Sequence, residues 1–181
     1  TRYQPAYESI LSVMDAPDRI PYGTLRAGRV YNFWQDAANP KGLWRRTAGA
    51  GYRSARPDWE ILLDIDALAK TDKEDWVFKG AGVSPDQKRA LISLSRGGGD
   101  AVVVREFDIA ARAFVPDGFA LAEAKSDVAW WGTDRVLFDT DFGEGSLTTS
   151  GYPRIVKLWR RGTSPAQAQT LFEGKVSDVG V

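Results

Sequence analysis

The chain has 181 residues, 43% of them hydrophobic, with Lys+Arg and Asp+Glu balanced at 24 each. That is enough apolar material for a packed core, and the balanced charge sets up no field favouring nucleic acid or acidic lipid. There is no histidine and no cysteine, so the chain alone supplies no Ser-His-Asp triad, cysteine nucleophile or His/Cys zinc site.

In chain order, Tyr7, Ile10, Leu11 and Met14 recur at helical spacing and Asp15-Ala16-Pro17 ends the pattern. The spacing predicts an amphipathic helix over residues 6–14. Strand signals follow. Residues 22–26 form a short strand, Ala27-Gly28 a turn, and residues 29–36 a strand rich in Val30, Tyr31, Phe33 and Trp34. Asn39-Pro40-Lys41-Gly42 has turn chemistry, and strands follow at 43–47 and 59–64. Residues 66–70 read as a turn of helix within a loop.

A second run repeats the order, with strands at 76–79, 89–95, 101–108 and 113–115. Ser84-Pro85-Asp86-Gln87 is a turn and Arg96-Gly97-Gly98-Gly99-Asp100 a hairpin loop. A third run has strands at 128–131, 135–141, 154–161 and 170–173, with a long loop over 142–153. Residues 175–181 read as the entry to a fourth unit. A strand-only unit repeating about every 40–50 residues signs a β-propeller. The expected fold is therefore all-β: a partial propeller of about three four-stranded antiparallel blades, at roughly 20–66, 76–117 and 124–173, after a helical segment at 1–19. Leu43-Trp44-Arg45-Arg46 and Leu158-Trp159-Arg160-Arg161 echo each other in the third strand of their units, where the second unit has Arg105-Glu106-Phe107-Asp108.

The candidate sites are few. Gly97-Gly98-Gly99 lacks the Lys-Ser/Thr and helix that a phosphate loop needs, so it reads as a hairpin. Asp139 and Asp141 stand at i and i+2, on one face of a strand. They read as solvated acids, or as partners of Arg135 or Arg154, rather than a metal site. Ser146 and Ser150 lie in a flexible, glycine-flanked loop and, with no histidine to take a proton, read as turn formers. In the Trp-Arg-Arg pairs alternation sets Trp44 and Arg46 on one face and Arg45 on the other. Packing by Trp, its edge covered by Arg stems, accounts for them better than nucleic-acid contact.

The stretch Ile20-Pro21-Tyr22 through Val30-Tyr31-Asn32-Phe33-Trp34, then Leu43-Trp44-Arg45-Arg46 and Trp59-Glu60-Ile61-Leu62-Leu63-Asp64, resembles the opening of the propeller in the prolyl oligopeptidase family of serine peptidases. So do Ser84-Pro85-Asp86 with its small-residue hairpin and Arg105-Glu106-Phe107-Asp108. The run from Thr140 to Pro153 looks like a bacterial branch of that family. The resemblance implies a propeller capping an α/β-hydrolase domain, with residues 1–19 leading from that domain and 20–181 the first blades. It implies hydrolysis of short peptides after proline, by a triad supplied from outside this chain. No G-x-S-x-G elbow occurs here.

In antiparallel blades, the entry to the inner strand and the loop between the second and third strands emerge on one face. In the resembled family that face looks at the active site, which makes Lys125, Ser126, Phe142, Glu144 and Ser146 the candidates for gating or domain contact. No catalytic residue, metal or cofactor is expected in the chain. The expected partners are the hydrolase domain and short peptides, with no nucleic acid and no membrane. Bare end blades, with Tyr31, Phe33, Trp34, Trp130 and Leu158 as contributors, would drive self-association. The chain opens at Thr1 and its one methionine is Met14, so it reads as a fragment, expected to be cytoplasmic. The rival readings are a stand-alone propeller that binds proteins and a propeller glycosidase.

Overall fold

The computed structural model describes residues 2–14, 16 and 21–180. Its contacts divide the chain into two compact units, residues 1–66 and 67–181. Helix α1 (Tyr3–Met14) buries none of its residues. It starts three residues earlier than the periodicity predicts, and Tyr3 and Tyr7 stack one turn apart at 6.0 Å. Asp15 and Pro17, expected to stop it, lie outside the described residues.

The first unit carries one antiparallel sheet in chain order: β1 (Thr24–Arg26), β2 (Arg29–Trp34), β3 (Leu43–Ala48) and β4 (Glu60–Asp64). Ala27 and Gly28 both take positive φ, at 43° and 76°, as a two-residue hairpin of the right twist requires. The Trp-Arg-Arg segment serves both faces of the sheet. On one, Tyr31 stacks on Trp44 at 5.9 Å and the Arg46 guanidinium meets Glu60 at 2.6 Å. On the other, the Arg45 guanidinium lies 4.4 Å from the centre of the Trp34 ring and 4.2 Å from that of Trp59. Tyr31, expected on a bare face, is buried.

The predicted helical turn near residue 66 is a full helix, α2 (Ile65–Asp72). Ile65 and Ala69, one turn apart, are both buried. Asp66 accepts hydrogen bonds from the backbone N–H groups of Lys41 and Gly42, which pins the helix start to the β2–β3 loop. The segment is too short for its periodicity to stand out in the sequence.

The second unit holds two sheets. The first has β5 (Trp76–Val83), β6 (Arg89–Arg96), β7 (Val102–Asp108) and β8 (Ala113–Phe114) in order, and a fifth strand, β9 (Ala120–Ala124), also on β7. The expectation of four strands is corrected here. Ala120-Leu121-Ala122-Glu123-Ala124 has little β-propensity, so composition hides it. Its placement is tertiary: the Phe119 N–H donates to Glu106 Oε2 at 2.8 Å, and the Glu106 N–H to the Phe119 carbonyl at 2.9 Å. Gly118 makes this return possible, because a Cβ there would come within 2.8 Å of Glu106 Cβ and 2.9 Å of Val115 Cβ.

The other sheet runs β10 (Asp127–Trp130), β11 (Arg135–Asp139), β12 (Ile155–Arg160) and β13 (Gln169–Glu173). The two sheets share one core, built from Leu91, Val104, Phe119, Leu121, Val136, Phe138 and Trp159. Phe119 meets Trp159 edge-on at 4.9 Å. Trp130, expected on a bare face, instead donates its ring N–H to the Gly82 carbonyl of β5 at 2.7 Å. Such sheet-on-sheet burial, worth roughly 25 cal/mol per Å² of apolar area, holds this unit together. The described residues 175–180 contain a turn.

The fold is mostly β, with open antiparallel sheets following one another along the chain and one short N-terminal helix, as a propeller fragment requires. No described helix is long and apolar enough to cross a membrane.

Candidate functional site

The strand directions sort the second unit into two ends. The starts of β5, β7 and β10 and the ends of β6, β9 and β11 lie at one of them. The connections 97–101, 125–126 and 140–154 gather there. Arg96 reaches both Glu74, at 3.0 Å, and Glu123, at 2.7 Å. Between these connections opens a cleft of about 350 Å³, with Lys79, Asp100, Lys125, Asp127, Asp139 and Tyr152 in its wall.

Lys125, in the two-residue connection from β9 to β10, lays its ammonium 3.9 Å from the centre of the Tyr152 ring and 4.0 Å from Asp100. The Tyr152 hydroxyl donates to Asp100 at 3.3 Å. Ser126 donates to the Thr140 hydroxyl at 2.7 Å. A cation, an acid and a phenol from three separate connections thus converge at one rim. Lys79 crosses to the Gly98 carbonyl at 3.0 Å.

Asp139 accepts the Asp127 N–H at 2.8 Å. Burial pushes the Asp139 carboxyl above its usual range and the Asp127 charge adds to this, against the lowering effect of that hydrogen bond. β11 ends at Asp139, so Asp139 and Asp141 do not share a strand face. Asp141 turns into the loop and accepts from the Gly143 N–H and the Ser146 hydroxyl. Arg135 pairs with Asp134 and Arg154 with Glu173, rather than with these two acids.

Ser146 is buried and forms a turn, as its glycine-flanked setting predicts. Its hydroxyl donates to the Gly143 carbonyl at 2.6 Å and accepts the Phe142 N–H at 2.9 Å, which fastens the loop into a compact turn. Phe142 packs edge-on against Phe138 at 5.3 Å. Glu144 is exposed at the loop tip. Of the five candidates from the sequence, Lys125 and Ser126 line the polar cleft, and Phe142 lines a neighbouring groove with Lys125. Ser146 supports the loop from beneath.

Sequence reasoning missed the far end of the unit. There Glu106, with a side chain wholly shielded from solvent, accepts from Arg161 at 2.7 and 3.0 Å, from Arg89 at 3.1 Å and from the Phe119 N–H. Burial pushes this carboxyl up, but the hydrogen bonds from Arg161, Phe119 and Arg89 outweigh it and hold it below the ordinary range. Arg161 belongs to the connection after β12, so the ion pair ties the two sheets together. The echo between Arg-Glu-Phe-Asp and Leu-Trp-Arg-Arg was the available signal, but nothing in it says that the two segments meet.

Comparison with known proteins fixes the setting of this unit. Residues 3–179 match the profile of the prolyl oligopeptidase N-terminal β-propeller domain. The chain is 42% identical over 180 residues to an uncharacterized peptidase of Sinorhizobium fredii, covering 98% of the chain and 25% of that protein. It is 35% identical to an uncharacterized peptidase of Rickettsia prowazekii, covering 94% of the chain and 25% of that protein. The structure of a post-proline cleaving enzyme from Rickettsia typhi superposes with a TM-score of 0.85 at 34% identity, over 99% of this chain and 27% of that one. The chain therefore spans about a quarter of the length of the relatives it matches. A profile match over nearly the whole chain, joined to these identities, places it in the prolyl oligopeptidase family, within the N-terminal β-propeller domain.

Proposed function

We propose that this chain is the propeller part of a serine peptidase that hydrolyses short peptides after proline, and that its loop end governs access of substrate. The observation that carries the reading is the profile match over residues 3–179 in a chain without histidine that spans a quarter of its relatives. A post-proline cleaving enzyme is among those it superposes on at above 30% identity. In this reading the nucleophile, base and acid come from an α/β-hydrolase domain elsewhere in the same polypeptide, and the oxyanion hole with them.

The propeller contributes exclusion. The connections at 97–101, 125–126 and 140–154 face the hydrolase domain in this proposal. Lys125, Ser126, Phe142 and the exposed Glu144 act at the rim, and Ser146 holds the loop in shape. The blade boundaries near 20–66, 76–117 and 124–173 belong to the same reading, as does residues 1–19 leading from the hydrolase domain.

The test is an assay with a chromogenic proline peptide. The chain alone is expected to show no turnover, and the longer polypeptide cleavage on the carboxyl side of proline. Turnover by the chain that persists through repurification would sink the proposal, as would a longer polypeptide with no G-x-S-x-G, Asp and His. The chain alone is also expected to self-associate. Trp131, Leu171 and Phe172, each about half exposed, give it apolar surface to cover. A single species of about 20 kDa in light scattering at micromolar concentration would contradict that.

A further inference from the structure

β9 is an edge strand. One side pairs with β7, and among the described residues no backbone group outside that ladder bonds to residues 120–124. Beside it runs a groove of about 900 Å³, within the roughly 300–1,000 Å³ usual for ligand clefts. Six consecutive residues, 120–125, line one wall. Side chains alternate along a strand, so an unbroken run means that the backbone itself forms this wall. The opposite wall is apolar, with Phe138, Phe142, Leu147 and Pro165.

The groove lining carries two acids, Glu123 and Asp141, and two bases, Lys125 and Lys157, and of these Lys125 stands 4.0 Å from Asp100. Glu123 is engaged by Arg96 at 2.7 Å, and Asp141 accepts from Gly143 and Ser146. Lys157, also in the lining, lays its ammonium 4.0 Å from the centre of the Phe142 ring, and among the described residues it makes no ion pair. An open strand edge recognises an extended main chain, an apolar wall takes alternate side chains, and a lone ammonium takes a carboxylate.

We propose that this groove binds an extended peptide, added as a strand to β9, with its C-terminal carboxylate on Lys157. Five residues at about 3.3 Å each match the length of β9. The groove meets the polar cleft at Lys125, which lines both, so an occupant would touch the same rim. The proposal concerns binding alone and does not rest on the peptidase reading.

The probe is an acetylated five-residue Val/Thr peptide with a free C-terminal carboxylate, titrated into the chain while the backbone amide NMR signals of residues 120–125 are followed. Saturable shifts at those amides in the sub-millimolar range are expected. The same peptide as a C-terminal amide should bind about tenfold more weakly, as loss of one charge-assisted contact implies. Lys157→Gln should remove the difference between acid and amide, and N-methylation of alternate peptide bonds should abolish binding to the unaltered chain. The proposal is overturned by no saturable shift up to several millimolar or by shifts that map elsewhere. Equal binding of acid and amide, or undiminished binding of the N-methylated peptide, also overturns it. None of these readouts involves turnover, so failure of the peptidase proposal and failure of this one are told apart.

Discussion

The two ends of the second unit each hold a carboxylate, and the two are treated in opposite ways. At one end Glu106 is sealed from solvent and saturated by Arg89, Arg161 and the Phe119 N–H, so its acid is strengthened. At the other, Asp139 sits half-buried in an open cleft, facing Asp127, and its acid is weakened. Opposite charge and donors favour ionisation at the first; burial and a like charge oppose it at the second. A saturated charge fixes structure. A half-buried one weakened by burial, at the meeting point of several loops, fits the recognition surface proposed for that end.

The largest effect should come from the closed end. Glu106→Ala leaves two guanidinium groups without their shared acceptor across the sheet contact. It is expected to cost about 3 kcal/mol, since breaking a buried pair is worth roughly 3–5 kcal/mol and both arginines keep some solvent. In a chain of this size that lowers the thermal midpoint by about 6–12 °C. A midpoint within two degrees of the parent would show that the ion pair does not hold the sheets. The pH dependence has a definite sign. The Glu106 carboxyl is held below its unfolded value, so its stabilisation is present above about pH 4.3 and is lost as pH falls through the folded value.

The open end should respond weakly and in the reverse direction. Asp139 is held above its unfolded value, so ionising it costs stability, which is lost as pH rises from about 3.9 through the higher folded value. Asp139→Asn keeps an acceptor for the Asp127 N–H and removes the charge. It should stabilise the chain at pH 7 by less than about 1 kcal/mol, an advantage that disappears in acid below the unfolded value. Denaturant titrations at pH 3 and pH 7 check this, and destabilisation at pH 7 would mean that the negative charge is needed.

The same comparison explains what the sequence made legible. The hairpins at Ala27-Gly28 and at 97–99, the strand periodicity and the Trp-Arg-Arg packing are local, and local chemistry announces them. β9 and α2 were harder to see. An alanine-rich strand exists because Gly118 and Glu106 fold it back onto β7, and α2 is a helix because Ile65 and Ala69 find burial. At the loop end, Lys125, Ser126 and Phe142 were placed by strand order, which topology fixes. Ser146 reads as a turn former from its glycine neighbours and forms one; that its hydroxyl is buried, with its partners inside the same loop, could not be read from composition. Glu106 was invisible because its partners come from 17 and 55 residues away.

The division of labour between the two ends is tested most directly by Lys125→Ala in the longer polypeptide. The measurement is kcat/KM for a short and a long proline peptide, taken well below the thermal midpoint. The account predicts that the ratio between the two substrates changes by about threefold or more while the midpoint stays within about two degrees. An unchanged ratio with a lowered midpoint would contradict it, and would make the loop end a structural element like its opposite.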